Sequence, residues 1–350
     1  MVYAFFSRRN IHLKNRIFKS VRKNLFLKSY RTIIDPACGT GGFLLGAYEF
    51  VQNHYRLNSK ARQFLRLKTF SGNEIVPTTR RLCLMNLFLK NIRSCTQKEI
   101  LISPQDALQE SPKERYDYVL ANPPFGQKRS LKLLSQKSEH YHRPDFWVKT
   151  LNKPLNFLQH IKTLLKPNGQ AAVVVPDNVL FEGNTGEMVR RKLLETTHLH
   201  TILRLPAGIF YAASVKTNVL FFDNKPFSKK PWTKEVWFYD YRTNIHHTFK
   251  NNPLQFECLE PFIECYHARN RETAKEAWSK KNPTGRWRKF NYEELIARDK
   301  CNWDVCWLKD KSIIDFENLP SLDTLAAAVV KSLKNSLREF SLLSKTAKIK

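Results

Sequence analysis

The sequence predicts an α/β protein with a mostly parallel, Rossmann-like sheet followed by a C-terminal helical extension. Three observations predict it. Short apolar runs alternate with longer periodic segments, the pattern of parallel strands joined by crossover helices. One apolar run ends at Asp35 and is followed by Gly39, Gly41 and Gly42, a tight turn from strand into helix. A later run, Tyr118-Val119-Leu120-Ala121, ends in Asn122-Pro123-Pro124-Phe125.

Taken in order, the candidate strands cover residues 32–34, 69–72, 116–121, 171–175, 201–205, 218–222 and 236–239. Residues 43–55, 78–91 and 154–165 read as connecting helices, the last ended by Lys166-Pro167-Asn168-Gly169. Residues 224–234 and 242–300 are charged and dotted with proline, so the sheet core is expected to end near residue 245. From Leu322 the apolar positions Ala326, Val329, Leu333, Leu337, Phe340 and Leu343 recur at intervals of three and four. That spacing gives a terminal helix with one apolar stripe, for packing on its own domain or on a partner coiled coil. The expected organisation is a basic segment over 1–30, a catalytic domain over 31–245, and a charged linker with a helical region over 246–350.

Composition narrows the function classes. The chain has 350 residues, 42% of them hydrophobic, enough for a large core and about two structural units. Lys and Arg number 59 against 31 Asp and Glu, a net charge of +28. Such an excess favours a polyanionic partner, because bound phosphates release counterions; a solvated basic surface is the plainer alternative. The seven cysteines are odd in number and include no Cys-x-x-Cys pair, which argues against a disulfide framework or a zinc site. No apolar run approaches the roughly 18 residues of a membrane span, and Arg8-Arg9 is not followed by the apolar core of a secretory signal. A cytoplasmic location is expected.

The glycine turn is a candidate cofactor site. Asp35 stands at a strand tip, and Gly39, Gly41 and Gly42 let backbone approach a ligand without side-chain obstruction. Thr40 lies among them and Phe43 follows; the next helix offers free amide groups to an anion. A plain strand-to-helix turn remains the simpler reading of the glycines alone. Glu74, at the end of the second strand in Gly72-Asn73-Glu74, can accept from ribose hydroxyls. Asp106, after Ile100-Leu101-Ile102, can take an adenine amino group. For either acid taken alone, a surface cap is the default reading.

Asn122-Pro123-Pro124-Phe125 specifies the chemistry further. The Asn122 amide oxygen and the Pro123 carbonyl can both accept from a planar NH₂ group, drawing its lone pair out of conjugation toward an electrophilic methyl. Phe125 can stack on a base, which must leave the duplex to reach such a pocket. Catalysis then rests on positioning and preorganised polar groups. A proline-rich turn closing a strand is the alternative for an isolated motif.

With these motifs in view, the sequence resembles the methylation subunit of type I restriction-modification systems, in the family that methylates adenine N6 in DNA. The resemblance runs from Asp35-Pro36-Ala37-Cys38-Gly39-Thr40-Gly41-Gly42-Phe43 through Gly72-Asn73-Glu74 and Asn122-Pro123-Pro124-Phe125-Gly126. It continues in Val175-Pro176-Asp177, Leu205-Pro206-Ala207-Gly208-Ile209-Phe210 and Thr217-Asn218-Val219-Leu220-Phe221-Phe222-Asp223. It implies a methyltransferase sheet and S-adenosylmethionine as donor, with Asp35, Ala37 and the loop to Phe43 near its methionine end, Glu74 at its ribose and Asp106 near its adenine. Asn122 to Phe125 would hold the target base. It also implies double-stranded DNA as substrate, a specificity subunit that reads sequence, and a restriction (motor) subunit. Family members carry a helical domain and a Phe-Thr-Pro motif ahead of the sheet. Only 34 residues precede Asp35 here, so a truncated start is expected, with a catalytically inactive remnant as the alternative reading. A methyltransferase acting on protein glutamine shares the Asn-Pro-Pro chemistry; the basic charge and the long match beyond residue 150 disfavour it.

Overall fold

The structure is a computed structural model that describes residues 30–92, 101–125, 141, 143–210, 215–248, 252–266 and 271–310, and isolated positions between 326 and 337. The basic segment expected over 1–30 lies outside the described residues except for Tyr30, as do Gly126, Val329, Phe340 and Leu343.

The first strand, β1 (Ile33–Asp35), is buried along its whole length. It leads through the glycine turn into α1 (Gly42–His54), followed by α2 (Ser59–Leu67), β2 (Phe70–Asn73) and α3 (Pro77–Leu89). The Asn58 side chain starts α2 by accepting from the Ala61 N–H, and Pro77 opens α3, where a missing N–H costs nothing. Next come β3 (Ile102–Ser103), β4 (Tyr116–Ala121), α4 (Lys153–Leu164), β5 (Leu165–Pro176) and α5 (Thr185–Thr196). The chain continues through β6 (Thr197–Leu205), β7 (Thr217–Asn224), β8 (Glu235–Asp240), α6 (Glu260–Tyr266), β9 (Trp287–Asn291) and α7 (Tyr292–Ala297).

Among the described residues these strands form one nine-stranded sheet in the order β3-β2-β1-β4-β5-β7-β6-β8-β9. β1 pairs in parallel with β2 on one side and β4 on the other. The order therefore reverses at β1, and the crevice outside the carboxyl ends of β1 and β4 is the switch point where open α/β sheets bind ligands. β7 runs antiparallel between β5 and β6, and β9 antiparallel to β8. The sheet is thus mixed at this end, where β7 follows β6 with no helix assigned between them among the described residues.

Side chains alternate between two buried clusters, as the pleat requires. Ile33, Leu120, Val174, Phe221 and Trp287 pack under α1, α3 and α6 with Leu44, Cys83, Leu87 and Phe262. Ile34, Val119, Val173, Phe222 and Phe238 pack under α4 and α5 with Leu158, Ile161, Val189 and Leu193.

The expected end of the sheet near residue 245 is corrected: β9 adds a strand, and Leu254, Leu259, Trp303 and Val305 are buried in the same two clusters. Arg190, itself fully buried, ties this later segment down. Its guanidinium donates to the carbonyls of Val179, Glu182, Lys300 and Cys301 at 2.6–2.9 Å. The chain divides into one unit to Leu308 and a second over 309–350. Lys166-Pro167-Asn168-Gly169 follows the end of α4 at Leu164, as expected, and already belongs to the next strand: β5 begins at Leu165, with Asn168 at φ 60° and a register shift against β4 between Tyr116 and Tyr118. In the second unit, Ala326, Val330, Leu333, Lys334 and Leu337 are helical, in line with the expected terminal helix.

Candidate active site

The glycine loop is fixed from three directions. Asp35, 1% exposed, accepts the Ala37 N–H on Oδ1 at 3.0 Å, closing the turn locally. The Cys38 N–H donates to the Asn73 carbonyl of β2 at 3.0 Å, and the Asn86 side chain of α3 donates to the Thr40 carbonyl at 3.0 Å. Gly39 and Gly41 adopt φ of 56° and 83°, which only glycine takes without strain. At Gly41 space is short as well, since a Cβ would stand 2.8 Å from Cys83 Sγ and force it to shift. α1 starts at this point with no side-chain cap, leaving the first-turn amides of the helix to face an anion at the carboxyl edge. Phe43 points into the core. A hydrogen bond to Cys83 together with burial pushes the Cys38 thiol far above its ordinary value, so it stays protonated.

The two acids stand just beyond the strand ends, and each accepts from the backbone two residues on, closing a local turn. The Glu74 N–H donates to the Ser103 carbonyl, and its Oε1 accepts the Val76 N–H at 2.8 Å ahead of α3. Asp106 accepts the Leu108 N–H on Oδ1 and the Tyr141 hydroxyl on Oδ2, each at 2.9 Å. Burial, and then the Asp106 charge, push the Tyr141 hydroxyl well up, so it remains a donor. Tyr141 gave no signal in the sequence, being 35 residues from Asp106.

At the end of β4, Val119, Leu120 and Ala121 are fully buried. Asn122 follows, half-buried, and its Oδ1 is shut off from solvent with no hydrogen-bond donor among the described residues. An orphaned buried acceptor costs about 1–3 kcal/mol, so such a group points to a missing donor. Pro123 is buried, Pro124 exposed and Phe125 half-buried. The Phe125 ring meets Phe210 edge-on, with centroids 6.2 Å apart and planes at 85°. Asp35 and Asn122 lie two residues beyond Ile33 and Leu120, which share one cluster, so both follow the same side of the sheet.

The same edge carries a polar brace that the motifs did not single out as functional. The Arg242 guanidinium grips Asp177 at 2.6 and 3.2 Å, and Asn218 bridges the pair. Burial alone would raise the Asp177 carboxyl; the Arg242 charge, the hydrogen bonds from Asn218 and Arg242 and the Arg204 charge together outweigh it and hold the group below its usual range. The residues come from the ends of β5, β7 and β8, too far apart in sequence for any local pattern to join them.

Comparison with known proteins places this geometry in context. The family model described as N-6 DNA methylase matches residues 15–300. The chain is 39% identical over 340 residues to the type I restriction enzyme StySPI methylase subunit of Salmonella potsdam. It is 39% identical over 342 residues to the EcoKI methylase subunit of Escherichia coli K12. Each match covers 88% of this chain and 63% of the relative, so the chain spans less than two-thirds of the length of either protein. The crystal structure of the EcoKI M protein superposes with a TM-score of 0.73 at 36% identity, covering 93% of this chain and 70% of that one.

Proposed function

We propose, from the premise that this chain belongs to the N-6 DNA methylase family, that it transfers a methyl group from S-adenosylmethionine to N6 of adenine in DNA. The observation that carries the reading is the orphaned Asn122 Oδ1, set beside the glycine loop at the crevice between β1 and β4.

The residues fit such a donor. The glycine loop brings bare backbone to the carboxyl edge of β1, and the uncapped start of α1 offers amides to a carboxylate. Glu74 keeps one carboxylate oxygen for a ribose hydroxyl, and Asp106 keeps lone pairs for the adenine amino group. When bound, S-adenosylmethionine supplies an electrophilic methyl on a sulfonium.

Asn122 Oδ1 and the Pro123 carbonyl accept the two N–H groups of the target base. They pull the N6 lone pair out of the ring and stabilise the positive charge that grows on nitrogen. Phe125, steadied by Phe210, supplies the face on which an unstacked base can rest. The new bond is N–CH₃, the broken bond is S–CH₃, and one N6 proton is released.

The relatives are subunits of type I restriction enzymes. We infer that this chain likewise works with a specificity subunit that selects the DNA site and a motor subunit that cleaves. Work on DNA implies the cytoplasm; among the described residues no helix is long and apolar enough to cross a membrane. The test is nucleoside analysis of DNA from cells expressing the chain with a type I specificity subunit. N6-methyladenine supports the proposal, and its absence with both proteins present removes it.

A further inference from the structure

We propose that the loop joining β7 to β8 is a second nucleic-acid-binding site, one that takes a single strand with accessible bases. It lies on the edge of the sheet opposite Asn122. β7 starts at Thr217, paired with Pro176 at the Asn122 edge, and ends at Asn224, paired with Thr197 at the far edge. Those eight residues separate the two sites by roughly 23 Å.

The loop reads Lys225-Pro226-Phe227-Ser228-Lys229-Lys230-Pro231-Trp232. With α4 and α5 it encloses a recess of about 360 Å³ lined by Lys162, Lys192, Lys225, Lys229 and Lys230. The acid in that lining, Glu195, is already paired with Lys192 at 2.9 Å. Lysines so gathered repel one another and call for a counter-anion. Burial, and then the Arg115 charge, lower the Lys162 ammonium.

Phe227 is 94% exposed. Its exposure is built into an ordered loop: the Trp232 indole N–H donates to the Pro226 carbonyl at 2.8 Å, and the Lys230 N–H to Ser228 Oγ at 3.1 Å. The Trp232 and Thr233 N–H groups donate to Glu195 and Leu194 of α5, and Lys225 sits 5.8 Å over the Trp232 ring. Two prolines stiffen the chain on either side. A fixed aromatic ring standing among lysines matches a strand whose phosphates meet the ammonium groups while a base stacks on the ring. A duplex hides its base faces, which favours the single strand.

The proposal is independent of methyl transfer, and its test measures binding alone. The full chain is photocrosslinked to a 5-iodouracil oligonucleotide about 12 residues long, a length within known single-strand site sizes, and affinity is followed by anisotropy. The expected crosslink is at Phe227. Phe227→Ala, a fully solvated position, should weaken binding about fivefold or more. Lys229→Glu with Lys230→Glu should flatten the salt slope by about 1.4. Crosslinks confined to the Asn122 edge, or an unchanged affinity in Phe227→Ala, would overturn it. Competition by duplex as strong as by single strand would remove the single-strand assignment, and stronger competition by a polyglutamate peptide would make the recess a protein-docking surface instead.

Discussion

Replacing Gly41 by alanine isolates what the cofactor cradle demands. At φ 83° an L-residue costs about 1–2 kcal/mol, and the new Cβ would meet Cys83 Sγ at 2.8 Å, an overlap worth about 1–3 kcal/mol more. The sum, about 2–5 kcal/mol, should lower Tm by at least about 4 °C. Because the strained residue opens α1, affinity for S-adenosylmethionine measured by calorimetry should fall at least about tenfold. Adding Cys83→Ala removes the overlap and leaves the backbone strain. The double-mutant cycle should then show a favourable coupling of about 1–3 kcal/mol. A Gly41→Ala protein with wild-type Tm and affinity would refute the reasoning, and a coupling near zero would refute its steric half.

Three further outcomes follow from named contacts. Tyr141→Phe removes a donor from Asp106 Oδ2 and should raise KM for S-adenosylmethionine about three- to tenfold at unchanged kcat; a fall in kcat would put Tyr141 at the reacting atoms instead. Asp117 accepts from Arg31, Thr32 and Lys166, and against the opposing effect of burial these bonds lower its carboxyl from 3.8 to about 2. Its stabilisation is therefore complete above the ordinary value and lost as pH falls toward 2. Asp117→Asn should flatten the acid limb of a denaturation-versus-pH curve, and an unchanged limb would contradict this. Arg190→Leu strands four carbonyls, two of them buried and two part-buried, and should destabilise the fold by on the order of 2–5 kcal/mol. Urea denaturation checks it, and a midpoint within error of wild type would show that water replaces the guanidinium.

The parts of the fold that local chemistry dictates were legible in the sequence. Apolar runs located seven of the strands, and Asp35 with its glycines located the turn, because positive φ and close packing on Cys83 disfavour any other residue at Gly41. The place of Asn122 at a strand end was legible too, since the apolar run Tyr118-Val119-Leu120-Ala121 ahead of it is buried. What depended on distant partners was not. β9 sends Trp287 and Phe290 to opposite faces around Arg288 and Lys289, with no regular alternation inside a charged stretch, and only its pairing with β8 makes it a strand. α2 and α5 went unread among polar residues although their apolar stripes are buried. The reversed direction of β7, the Tyr141 donor to Asp106 and the Arg242 brace on Asp177 all join segments that no local pattern relates.

The central claim is that Asn122 Oδ1 holds the amino group being methylated. It is tested most directly by transfer of labelled methyl from S-adenosylmethionine to DNA, by this chain with a type I specificity subunit, comparing wild type with Asn122→Ala. The account predicts label on adenine N6, and a kcat lowered about 10²–10³-fold in the variant. It also predicts little loss of Tm, since the substitution removes an acceptor that has no donor. Transfer at the wild-type rate by Asn122→Ala would contradict the account.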